Sequence, residues 1–82
     1  MISYEKMWRL AKERGITYYR LNTYFHIGTN TLYRLQHNQF VHGSTLNKLC
    51  YIFECQISDI AEFIPDEAER NDLLGKEDEY PL

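Results

Sequence analysis

Asn30, Tyr33, Arg34 and His37 stand at positions i, i+3, i+4 and i+7, a spacing that gathers them on one face of an α-helix. Leu32 and Leu35 fall on the opposite face, where they would anchor that helix. The polar face carries no acid. An arginine can donate a two-pronged pair of hydrogen bonds to guanine O6 and N7, and an asparagine can pair in the same way with adenine. Thr29 and Thr31 add a hydroxyl, or a methyl for contact with thymine. The chemistry this set offers is the reading of base edges in a DNA groove. Tyr18, His37, Asn38, Gln39, His42 and Ser44 flank it and supply polar groups suited to phosphate, contacts that set register rather than sequence preference. A helix N-terminus adds free N–H groups and a positive dipole end.

Other chemistries find less support. His26, His37 and His42 lie on separate turns or loops, with neither a His pair four apart on one helix nor a Cys-x-x-Cys pair. No metal site is expected. There is no glycine-rich phosphate loop and no signature of an activated Ser or Cys nucleophile. The adjacent carboxylates Asp78 and Glu79 lie in a charged tail that cannot hold a catalytic geometry. Neither an enzyme, a cofactor nor a small-molecule ligand is expected. Cys50 and Cys55 are read as small buried hydrophobes, because free cysteine is among the most buried residue types; the alternative is a thiol switch, which would need a lowered pKa.

The elements that must position the polar face follow from apolar spacing. Ser3 is expected to cap a first helix to Arg14, with Met7, Trp8, Leu10 and Ala11 inward. Gly15 sits where a helix ends in a left-handed residue. Thr17 reads as the cap of a second helix from Tyr18 to Phe25, with Leu21, Tyr24 and Phe25 on its apolar side. His26-Ile27-Gly28 interrupts the pattern, and Thr29 caps a third helix to His37. A loop follows, with Phe40 and Val41 folded back onto the core. Ser44 caps a fourth helix to Phe53, and Gln56 or Ser58 starts a short fifth, ending at Ile64 before Pro65. No stretch shows strand alternation, so the fold class is all-α with five short helices.

Eighty-two residues, 44% hydrophobic, suffice for one domain with one core. No apolar run is long enough for a membrane span, and the N-terminus does not read as a signal peptide, so a cytoplasmic protein is expected. The net charge of −3 is unevenly spread. Residues 1–64 carry seven Lys or Arg against five acids, and residues 65–82 carry two against seven. A mildly basic domain over 1–64 is therefore followed by an acidic tail over 65–82. A frayed helix over 66–74 and disorder beyond it are expected there.

The segment "TYYRLNTYFHIGTNTLYRLQHN", followed by "STLNKLCYIFECQISDIAEFI", resembles the Cro/repressor-type helix-turn-helix (XRE) family of bacterial and phage regulators. "TNTLYRL" and "LCYIFECQISDI" are similar to its very short, single-domain members. The resemblance implies a lambda-repressor-like DNA-binding domain over about residues 1–64, whose second motif helix enters the major groove. By matching position, Thr29, Asn30, Thr31, Tyr33 and Arg34 inherit base reading, and Tyr18 a phosphate contact. The chain departs from the family pattern at Asn22, where Ala is common, and at His26, where Gly is common. His26 would have to accept a positive φ, and Asn22 is expected to widen the angle between the motif helices. The function implied is a transcriptional repressor binding double-stranded DNA as a homodimer. The alternative is a protein-interaction module, antitoxin-like or anti-regulator, using the same helical fold with its aromatic surface and acidic tail.

Overall fold

Buried apolar residues recur along the chain and set the course of the first four helices. The structure, a computed structural model, describes residues 1–75. Helix α1 (Glu5–Glu13) buries Met7 and Ala11, α2 (Tyr18–Thr23) buries Leu21, and α3 (Thr29–Gln36) buries Leu32 and Leu35. Helix α4 (Gly43–Phe53) buries Leu49 and Phe53. Tyr4, Ile27, Val41 and Ile60 complete one core, against which Trp8, Leu10, Phe25 and Leu46 are partly buried. The fold is mainly helical, as the periodicity implies.

Three helices end on a left-handed residue that redirects the chain: Gly15 after α1, Asn38 after α3 and Glu54 after α4. Each end is closed by a backbone hydrogen bond from the residue beyond, Ile16 to Ala11 at 2.8 Å, Gln39 to Arg34 at 2.8 Å and Cys55 to Cys50 at 3.1 Å. This Schellman arrangement satisfies carbonyls that the helix end would orphan. At the other ends, Thr17 caps α2 as expected, its Oγ1 accepting from the Arg20 N–H at 3.1 Å. Tyr4, Gly28 and His42 take the cap positions expected of Ser3, Thr29 and Ser44. Ser3 still contributes, its Oγ accepting from the Glu5 N–H at 3.3 Å.

The fifth helix expected up to Ile64 is a single 3-10 turn, Ile57–Asp59, closed by the Asp59 carboxylate accepting from the Gln56 N–H at 3.0 Å. Beyond it the chain is extended. Strand β2 (Glu62–Phe63) pairs antiparallel with β1 (Ile2–Ser3), Ile2 opposite Phe63 and Ser3 opposite Glu62. The N-terminus thus offers backbone partners that a further helical turn would not use. Two apolar assignments also change. Tyr24 is 66% exposed rather than core-facing, and Phe40 is 71% exposed although its neighbour Val41 is buried. Helix α5 (Glu67–Leu74) follows, capped by Asp66, whose Oδ1 accepts from the Glu69 N–H at 3.1 Å. It buries nothing of its own but is tethered by the Met1 amine, which donates to the Ile64 carbonyl and pairs with Glu69 at 3.4 Å. The disorder expected after residue 75 lies outside the described residues.

Burial raises the Tyr4 phenol above its ordinary value of 10.0. The folded state therefore holds that proton more tightly than the unfolded chain. The resulting stabilisation is complete below the unfolded pKa and is lost as pH rises through the folded one. Urea midpoints measured between about pH 9 and 11 should fall less steeply for Tyr4→Phe than for the wild type. Parallel pH profiles would show that Tyr4 does not contribute.

Candidate nucleic-acid interface

Thr17 starts α2, Leu21 buries it, and the chain then turns sharply so that α3 packs beside it. His26 makes this turn at φ 59°, as the sequence requires of it. Imidazole tolerates this left-handed backbone better than a β-branched side chain would. Asn22 has a definite task here: its Nδ2 donates to the Ile27 carbonyl at 2.8 Å, while the Ile27 N–H donates to the Leu21 carbonyl at 3.0 Å. Asn22 thus ties down the turn with a hydrogen bond that the alanine common at this position could not make.

With Leu32 and Leu35 buried, α3 turns Asn30, Tyr33, Arg34 and His37 to the outside together. Thr29 is exposed at the first turn, and Thr31 is half-buried. Tyr33, 53% exposed, stacks on His37 with ring centroids 4.0 Å apart. His37 Nδ1 lies 2.8 Å from the Tyr33 carbonyl oxygen. A carbonyl only accepts, so Nδ1 carries the hydrogen and Nε2 remains for an outside partner. Arg34 Nη1 donates to the Phe40 carbonyl at 3.4 Å, which leans the guanidinium toward the following loop and leaves its other donors unused by this contact. Trp8 holds the far end of the helix, its Nε1–H donating to the Leu35 carbonyl at 3.1 Å.

The flanking residues divide. Tyr18 begins α2 and is partly exposed, and Gln39, His42 and Ser44 are exposed after α3. His42 meets the Phe40 ring edge-on at 5.6 Å. Asn38 is engaged in the fold: its Oδ1 accepts from the Tyr4 N–H at 2.9 Å, leaving only its NH2 for a phosphate. Thr31 and Ser44, far apart in sequence, line one cavity of about 300 Å³ between the motif turn and the start of α4, together with His26, Thr45 and Lys48. Lys48 is a further candidate, one not singled out from the sequence. Its signal was its position four residues after Ser44, on the same face of α4. Tyr18 is not among the residues around this cavity.

The arrangement offers an acid-free helix face at the surface, with hydroxyls and an ammonium group beside it. The family model described as the Cro/C1-type HTH DNA-binding domain matches residues 6–66. Among solved structures, the chain is similar to the crystal structure (form II) of the transcriptional regulator VanUg, at 28% identity and a TM-score of 0.74. That match covers 79% of this chain and 87% of the other. A comparison with curated proteins gives no match. The match over residues 6–66 takes in α1 from its second residue, α2 to α4, the 3-10 turn and β2, so the chain belongs to the Cro/C1-type helix-turn-helix DNA-binding family.

Proposed function

We propose that this protein is a sequence-specific transcriptional regulator that represses by occupying promoter DNA. The observation that carries the reading is the exposed face of α3, which gathers Asn30, Tyr33 and Arg34 without an acid while Leu32 and Leu35 hold the helix to the core. In this reading α3 lies in the major groove. Thr29, Asn30, Thr31, Tyr33 and Arg34 meet base edges, and Tyr18, His37, Asn38, Gln39, His42 and Ser44 meet the backbone. Lys48 joins the backbone set, because it shares a cavity with Ser44 and Thr31. The protein performs no catalysis, needs no cofactor and works in the cytoplasm. No helix among the described residues is long and apolar enough to cross a membrane.

One domain of this size covers little DNA, so the protein binds as a homodimer on a two-fold site. Leu73 and Leu74 of α5, 69% and 50% exposed, are the contact we assign to the dimer. They border an apolar cavity of about 440 Å³ with Phe63 and Pro65.

Selection from a random double-stranded pool tests the reading. Bound sequences should converge on a symmetric motif with half-sites about 34 Å apart. A pool that stays random, from a protein that also fails to shift random DNA at low salt, would favour the protein-interaction module instead. Lys48→Ala should weaken binding to every sequence alike. Its slope of log affinity against log salt should flatten by about 0.9, as for one lost phosphate contact. A slope equal to that of the wild type would remove Lys48 from the interface.

A further inference from the structure

The C-terminus of α4 carries chemistry that DNA binding does not use. The Cys55 N–H donates to the Cys50 carbonyl at 3.1 Å across the left-handed Glu54 (φ 51°). A contact between the side chains at its two ends frequently accompanies a closure of this kind. At the end of α1 the same closure joins Ala11, which is buried, to Ile16, which packs against the core. In α4 the two positions are cysteines. Both are free thiols, both are half-buried, and both line one cavity of about 360 Å³ with Asn47, Tyr51, Glu54 and Gln56.

We propose that Cys50 and Cys55 form a dithiol site that closes to an intramolecular disulfide when it meets a low-molecular-weight disulfide. Such a bond needs Cα atoms within about 4.4–6.8 Å, and the 3.1 Å bond from the Cys55 N–H to the Cys50 carbonyl holds the two residues side by side. The exchange is balanced. One protein thiol loses its proton and attacks the reagent, expelling one small thiol and leaving a mixed disulfide. The second protein thiol then loses its proton, attacks the protein sulfur of that mixed bond and expels the second small thiol. Two electrons and two protons leave the protein, and one small disulfide becomes two thiols. Burial, reinforced by the neighbouring Cys50 and Asp59 and opposed by Arg14, pushes the Cys55 thiol up. That shift leaves little Cys55 thiolate at neutral pH, so closure is slow there and quickens as pH rises, because the thiolate is the attacking form.

The test treats the folded full-length chain with glutathione disulfide and follows intact mass, alkylation and circular dichroism. The expected product is a monomer about 2 Da lighter, with both thiols closed to alkylation and the helical signal retained. Cys50→Ser and Cys55→Ser should each stop at a single glutathione adduct or a linked dimer. Wild-type protein that accumulates one or two stable adducts without losing 2 Da would overturn the proposal. So would thiols that react only after urea is added, or closure that abolishes the helical signal.

Discussion

Arg34→Ala is expected to weaken binding to the selected operator by about 1–3 kcal/mol and to erase the preference at one base pair. The magnitude follows from the two-pronged contact that a guanidinium makes with guanine, which no truncated side chain replaces. The structure adds a reason for the effect to be well localised. Arg34 Nη1 leans on the Phe40 carbonyl at 3.4 Å, so the group is directed before DNA arrives and its remaining donors share a common plane. Fluorescence anisotropy against the operator and against single-base-pair variants would measure both parts. Arg34→Lys separates them: charge and salt slope should persist while discrimination at that base pair is lost. If Arg34→Ala discriminated among operators as the wild type does, α3 would not read bases through this residue.

Phe53→Ala should be the most damaging single change to the fold. Phe53 is fully buried at the last turn of α4, immediately before the left-handed Glu54. Truncating such a ring removes its transfer free energy and leaves a cavity, at a cost of about 3–5 kcal/mol. A small domain has only about 5–15 kcal/mol in total, so thermal unfolding should drop by tens of degrees, at roughly 4–8 °C per kcal/mol. Phe53→Leu, which fills more of the space, should lose much less. Because the exposed face of α3 stays intact, operator DNA should still raise the melting temperature of the variant through mass action. A variant that melts like the wild type would place Phe53 outside the stabilising core.

Much of this arrangement was legible in the residues themselves. Met7 with Ala11, Leu32 with Leu35, and Leu49 with Phe53 repeat at helical spacing, so the buried side of each helix follows from local geometry. Thr17 and Gly15 mark a start and a stop through their own stereochemistry. The α3 face was legible for the same reason: once Leu32 and Leu35 turn inward, Asn30, Tyr33, Arg34 and His37 must turn outward. Tyr24 and Phe40 were misjudged because hydrophobicity alone does not say whether the core has room for a ring.

In the segment from Thr17 to Asn38, the pattern of the helices, the sharp turn at His26 and the polar face were readable from local spacing, since each is specified within a few residues. Tertiary structure decided what lies across longer separations. It paired Ile2 and Ser3 with Phe63 and Glu62 in place of a fifth helix, set Trp8 against the Leu35 carbonyl, and committed Asn38 to the start of α1. It also brought Lys48 to the cavity beside Thr31. Local spacing specifies which face of an element is buried. It does not specify which distant element covers that face, because that depends on packing the whole chain into one core.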